Sequence, residues 1–216
     1  MTITKYPQSC VLIATKWAKI LIDPGNLLYT ETIQQEWSKA DVVLVTHSHP
    51  DHCFVDALQK LQKIGKPIYS TQEVQTKYPQ IQFVIIQAGD ILDINGIKVE
   101  VVLAKHGFIN KEFEITQNVG YIIDDGTTRA YETSDCIRFE HNYKADVLLA
   151  NVCAFDASMN LFGAIQTYQE IGASQLVIMH QEGGRMFFSQ DQMIDFLHQH
   201  NVNYCIPKVG ETINLP

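Results

Sequence analysis

Residues 41–54 read DVVLVTHSHPDHCF, and the rest of the chain is best understood outward from them. Val42–Val45 are four apolar residues in succession, the pattern of a strand buried on both faces. That strand runs directly into His47, His49, Asp51 and His52. Alternate residues of an extended segment share a face, so His47 and His49 can enter one site. Asp51 and His52, on the turn that follows, can enter a second site beside it. Imidazole nitrogen and carboxylate oxygen suit zinc, and with more carboxylate they also suit manganese or iron. Two such sites about 3.5–4 Å apart make a two-metal hydrolytic centre.

The flanking segments supply the frame. Upstream, Thr2–Lys5, Cys10–Ala14 and Ala18–Ile22 are strand-like, and Asp23-Pro24-Gly25 is a turn signal. Downstream, Phe54, Ala57, Leu58, Leu61 and Ile64 recur at the spacing of one helix face, which Gly65 and Pro67 end. Short strands at Pro67–Tyr69 and Phe83–Ile86 precede two hairpins. The first pairs Ile91–Ile94 with Ile97–Leu103 across Asn95-Gly96; the second pairs Val119–Ile123 with Thr128–Glu132. The last third alternates: strand Asp146–Val152, helix Leu161–Ile171, strand Gln175–Met179, and helix Ser189–His200 opened by a Ser189/Gln192 capping box. Ile206 and Thr212–Leu215 read as weak closing strands. Hairpins with helices between strands predict an α/β chain of two mixed sheets with helices outside. No linker or low-complexity tract divides the chain, so residues 1–216 read as one domain.

Three more side chains fall where a metal centre would need them. His106 follows the Ile97–Leu103 strand, Asp135 follows Thr128–Glu132, and His180 follows Gln175–Met179. Each sits just past the C-terminal end of a predicted strand, where loops gather at one rim of a sheet. His141, His198 and His200 have no such placement and read as surface or hydrogen-bonded residues.

In this order the motifs resemble those of the metallo-β-lactamase superfamily. Asp23 in LIDPG resembles the first motif, HSHPDH the second, His106 in AKHG the third, Asp135 in ETSDC the fourth and His180 in VIMHQ the fifth. The resemblance implies a four-layer αββα sandwich with a dinuclear centre at one edge. It implies that His47, His49 and His106 hold one cation, that Asp51, His52 and His180 hold the other, and that Asp135 bridges them. Zn2+ is the first expectation, with Mn2+ or Fe2+ as alternatives. The implied chemistry is hydrolysis by a hydroxide held between the metals, with Asp51 as the catalytic residue that orients it and takes up its proton. Asp23 reads as a support behind the ligands. Cys136 stands beside Asp135 where the superfamily usually has threonine, which leaves the surroundings of that aspartate open. Glu182 and Arg185, in the loop after His180, are the candidates for touching substrate. More finely, the opening PQSCVLIATKWAKILIDPG resembles the small L-ascorbate-6-phosphate lactonase-like branch, which implies a small-molecule ester or lactone.

Composition narrows the partners. Sixteen basic and 24 acidic residues give a net charge of −8, and no basic run interrupts that average. A chain so charged lacks the attraction to phosphate backbones on which nucleic-acid binding rests. A phosphodiesterase or nuclease of the same superfamily is therefore the weaker alternative. A di-iron redox enzyme is weaker again, because such relatives resemble HxExDH and carry a flavin domain. A non-catalytic metal-binding scaffold is the non-enzyme alternative, and the seven retained ligands speak against decay. No secretory signal or membrane-length apolar run is visible, and five cysteines at irregular spacing are not a disulfide framework. The expectation is a cytoplasmic protein with a small-molecule substrate, no membrane contact, and room for a homo-oligomer.

Overall fold

The computed structural model describes residues 1–153, 157–182 and 189–216. Its strands form two seven-stranded sheets. The first contains β1 (Thr2–Lys5), β2 (Val11–Ala14), β3 (Lys19–Ile22), β4 (Val42–Leu44), β5 (Ile68–Ser70), β6 (Val84–Ile85) and, on its outer edge beside β1, β14 (Thr212–Asn214). The second contains β7 (Ile91–Ile94), β8 (Ile97–Ala104), β9 (Asn118–Asp124), β10 (Arg129–Glu132), β11 (Val147–Asn151), β12 (Gln175–Met179) and β13 (Tyr204–Cys205), in chain order across the sheet. Both sheets follow one plan. From β14 to β3, and from β7 to β10, the pairings are antiparallel; from β3 to β6, and from β10 to β13, they are parallel.

Strand alternation sorts the side chains into layers. Ile20, Ile22, Val42 and Leu44 of the first sheet face Tyr121, Ile123, Val147, Leu149, Val177 and Met179 of the second, and this is the central core. The intervening residues point outward. Leu21, Val43 and Val45 meet Trp37 of α1 (Glu31–Trp37), Leu58 and Leu61 of α2 (Val55–Lys63) and Val74 of α3 (Gln72–Lys77). Leu148, Ala150, Leu176 and Ile178 meet Ala164 and Ile165 of α4 (Leu161–Ile171) and Met193 and Leu197 of α5 (Gln190–Gln199). The layers are helix, sheet, sheet, helix, as the motif order implied.

Local chemistry explains most boundaries. Asn95 and Gly96 both take positive φ (54° and 87°), the backbone that a two-residue hairpin turn demands. Ser189 accepts from the Gln192 N–H at 3.2 Å and Gln192 Oε1 accepts from the Ser189 N–H at 2.9 Å, closing the capping box. Gly172, with φ of 75°, ends α4. Two helices have no counterpart in the sequence reading. α1 buries only Gln34 and Trp37, and α3 only Val74, so neither carries an apolar stripe at helical spacing. The closing strand expected at Ile206 lies one turn of the pleat earlier. Tyr204 and Cys205 pair with Leu176 and Val177, and Pro207, which has no N–H, stands one residue past the end of the strand, after Ile206.

Candidate metal centre

The C-terminal ends of β3, β4, β8, β10 and β12 open on one edge of the sandwich, and the site is assembled from the residues just beyond them. His47, His49, His106 and Asp135 form one group whose ligand atoms all lie within 4.8 Å of one another. Asp51, His52 and His180 form a second group by the same measure. Asp135 faces both: its Oδ2 is 3.3 Å from His52 Nε2 and 3.9 Å from His106 Nε2, and its Oδ1 is 3.7 Å from His180 Nε2. Asp51 Oδ2 is 3.4 Å from His180 Nε2. All seven residues that the sequence singled out as ligands therefore meet in one place.

Several of these nitrogens are buried and lack a hydrogen-bond partner among the described residues: His52 Nε2, His106 Nε2 and both ring nitrogens of His180. An unsatisfied buried polar atom costs about 1–3 kcal/mol, and three neutral rings, His52, His106 and His180, could each turn one lone pair toward an acceptor of electrons. The donor set, five imidazoles and two carboxylates, fits divalent cations of the zinc type.

The far sides of the rings are fixed. His52 Nδ1–H donates to Asp23 Oδ2 at 2.7 Å and lies 2.9 Å from Ser9 Oγ. His106 Nδ1–H donates to the Gly107 carbonyl at 2.6 Å. His47 Nδ1 lies 3.0 Å from Thr46 Oγ1 and 3.3 Å from Ser134 Oγ. Such outer bonds set the ring tautomer and aim the free nitrogen at the centre. Asp23 also accepts from the Thr46 N–H at 2.8 Å and the Thr46 hydroxyl at 2.7 Å, so one buried carboxylate ties the end of β3 to the start of the histidine motif. Asn151 Nδ2 donates to Asp135 Oδ1 at 3.1 Å, and Asn118 Nδ2 to the Asp135 carbonyl at 2.8 Å. From the second sheet, Tyr121 Oη donates to the Val45 carbonyl at 2.9 Å, a strut between the layers immediately before the motif.

The backbone is bent to suit. Gln8, Asp23, Ser134 and His180 have φ of 59°, 50°, 60° and 65°, a left-handed region that side chains other than glycine enter at a cost. Gly25 is required for a different reason. A Cβ there would sit 1.8 Å from the Asp51 carbonyl oxygen, so the LIDPG turn packs directly on the backbone of the metal motif.

Electrostatically the centre is built for positive charge. Burial works against charging His52, but the Asp135 and Asp23 carboxylates outweigh it and hold its pKa well above the imidazole norm. Burial likewise opposes ionisation of Asp51 and Asp135, yet neighbouring His180 and His52 hold both well below the usual carboxylate range. Burial depresses His47 and His106, which favours the neutral imidazole that a metal needs.

The remaining candidates are placed as follows. Cys136 turns its sulfur toward the Lys105 N–H and the Ile137 carbonyl, each at 3.2 Å, and is not in either ligand group. Burial pushes its thiol up to about 12. Glu182 is engaged behind the centre: Oε2 accepts from the Gln8 N–H at 2.7 Å and pairs with Lys5 Nζ at 3.2 Å. Arg185 lies outside the described residues. Gln8, Ser9, Thr46, Ser134 and Asn151 escaped the sequence reading. The first two lie in the short Pro7–Cys10 turn between strands, whose burial only the structure shows.

A fold and a site of this kind define a class, the metal-dependent hydrolases built on the αββα sandwich. The chain belongs to the beta-lactamase superfamily, whose domain profile matches residues 2–180. It is 25% identical to Protein Rv0786c of Mycobacterium tuberculosis over 84% of each chain. It is 29% identical to the UPF0173 metal-dependent hydrolase TV0864 of Thermoplasma volcanium, over 59% of this chain and 57% of that one. Among solved structures it is similar in fold to Igni18, a metallo hydrolase from Ignicoccus hospitalis, with a TM-score of 0.80 and 19% identity over 98% of this chain and 97% of that one.

Proposed function

We propose that the chain hydrolyses a small-molecule ester, lactone or related bond at a centre of two divalent cations, zinc in the first instance. The observation that carries this reading is the convergence of seven ligand side chains into two adjacent groups, with Asp135 of the first also facing His52 and His180 of the second. His47, His49 and His106 would hold one cation, Asp51, His52 and His180 the other, with Asp135 between them. Bound there, the cations would lower the pKa of a water from about 15.7 to about 7 and polarise the oxygen of the bond to be cut. The protein's own contribution is orientation and proton handling. Asp51 is the more open carboxylate, its side chain 16% exposed against 5% for Asp135. That greater exposure supports Asp51 as the group that would accept a proton from the attacking water and release it toward solvent. Asp135 and the His47, His52 and His106 rings, held from behind, keep their positions as charge develops and so cost little reorganisation.

The finer reading, a lactonase-like activity in the cytoplasm, rests on the opening motif and on composition. Net charge of −8 supports a small substrate over a nucleic acid. No helix among the described residues is long and apolar enough to cross a membrane. The test is a screen of the zinc- or manganese-loaded protein against lactones, carboxylic esters, thioesters and phosphodiesters. Turnover of a lactone or ester that Asp51→Ala abolishes, in a chain that still folds, is the expected result. Turnover of phosphodiesters alone, or full activity in Asp51→Ala, overturns the proposal.

A further inference from the structure

Between β1 and β2 the chain makes a tight turn, Pro7–Cys10, that takes no part in the chemistry above. It nevertheless meets every residue of the Asp51, His52 and His180 group, the outer group, as opposed to the inner group of His47, His49, His106 and Asp135. Gln8 Nε2 donates to Asp51 Oδ2 at 3.5 Å, a long bond. Ser9 Oγ lies 2.9 Å from His52 Nδ1. The His180 N–H donates to the Gln8 carbonyl at 3.1 Å. The inner group is held by other parts of the chain: Thr46, Ser134, Gly107 and, through Asp135, Asn118 and Asn151.

The turn is itself anchored. Its left-handed backbone at Gln8, φ 59°, points the Gln8 N–H at Glu182 and the Gln8 carbonyl at His180. Glu182 is in turn paired with Lys5, whose side chain is 2% exposed. Gln8 and Ser9 are buried, at 2% and 0% exposure, and Gln8 Oε1 has no partner among the described residues. Three buried polar or charged residues, Lys5, Gln8 and Ser9, thus stand behind the outer group beside the partly exposed Glu182, at a cost in desolvation that core packing alone would not incur.

We infer that Lys5, Gln8, Ser9 and Glu182 form a clamp that positions Asp51, His52 and His180, and that this clamp selectively sets the affinity for the second cation. The inference rests on the two-cation reading. Its physical basis is that the outer group is divided between the layers. Asp51 and His52 come from the loop after β4 of the first sheet, and His180 from the end of β12 of the second. A metal site needs its ligands held within about 0.5 Å of the right geometry. The turn from β1 touches both contributions and so fixes the gap between them. The four residues are positioning residues; none is required to touch the substrate.

The experiment is a calorimetric titration of metal-free protein with Zn2+. Wild type is expected to take up two cations in two steps. Ser9→Ala, and Gln8→Ala with Ser9→Ala, should leave the first step unchanged and weaken the second roughly 10–100-fold, the usual effect of removing outer partners. Ser9→Thr keeps the hydroxyl and should restore the second step. Glu182→Gln, which removes the ion pair and keeps the shape, should weaken it less. An intact first step reports that each variant is folded. A second step unchanged in the Gln8/Ser9 double variant overturns the clamp, and so does an equal loss of both steps. A wild-type chain that takes up one cation overturns the two-cation reading, and the inference with it.

Discussion

The two sheets follow the same plan and contribute to the centre in opposite ways. The first sheet delivers His47, His49, Asp51 and His52 in a single run after β4. The second delivers His106, Asp135 and His180 singly, one after each of β8, β10 and β12. Concentrated delivery makes four ligands depend on one loop, so that loop is strapped from many sides: Asp23 through Thr46 and His52, Gly25 beneath Asp51, and Tyr121 from the opposite sheet. Dispersed delivery makes each ligand depend on its own strand end, and the straps there are local, as with His106 on Gly107. Asp135 and His180 are the exceptions: Asp135 joins the two contributions and is held by Asn118 and Asn151, and the His180 N–H donates to the Gln8 carbonyl of the first sheet.

Asp135→Ala breaks this comparison most severely. It removes the one side chain shared by both groups, so uptake of both cations should fall and hydrolysis should drop about a thousandfold or more, exceeding the loss of a single charge-stabilising donor. Metal content per chain and turnover measured on the same sample check it. A variant that keeps both cations would show that Asp135 does not join the groups.

Single ligands from the second sheet sharpen the comparison. His106→Ala should weaken the inner cation and spare the outer one, while His180→Ala should do the reverse. Each loss should exceed the ~10–100-fold expected for an outer partner. Titration with Zn2+ resolves the two steps.

Asp23→Ala tests the strapping of the concentrated loop. It strands the Thr46 N–H and hydroxyl and frees the His52 ring from behind, so affinity for the outer cation should fall ~10–100-fold. Stability should fall by about 1–3 kcal/mol for each buried group left unpaired, read by urea unfolding of the metal-free protein. The smallest of these effects belongs to Gly25→Ala. Its methyl group would have to displace the Asp51 backbone, with a stability loss of about 1–3 kcal/mol. Restoration of wild-type stability at that position would mean that the turn and the motif move independently.

The same contrast governs what could be read from the sequence. HSHPDH was legible because its spacing is local and a strand precedes it. His106, Asp135 and His180 were legible by their place after strands and by their order. Gln8, Ser9 and Asn151 were not, because their partners lie 43, 43 and 16 residues away and the contacts leave no periodic trace. Asp23 was read as a support, but its double grip on Thr46 and His52 appears only when β3 and β4 are paired. Glu182 was read as facing substrate because it follows His180 in a glycine-rich loop. Its pairing with Lys5 spans 177 residues and depends on the sandwich closing. In each case the missing information was tertiary. Apolar alternation specified the layers, whereas the polar bonds within the rim depend on how the layers meet.

The most direct test of the whole account is the number and position of cations in the protein, by metal analysis joined to anomalous diffraction from zinc-loaded crystals. Two cations per chain are predicted, one among His47, His49 and His106 and one among Asp51, His52 and His180, with Asp135 touching both. A single cation, or two that do not share Asp135, would contradict it.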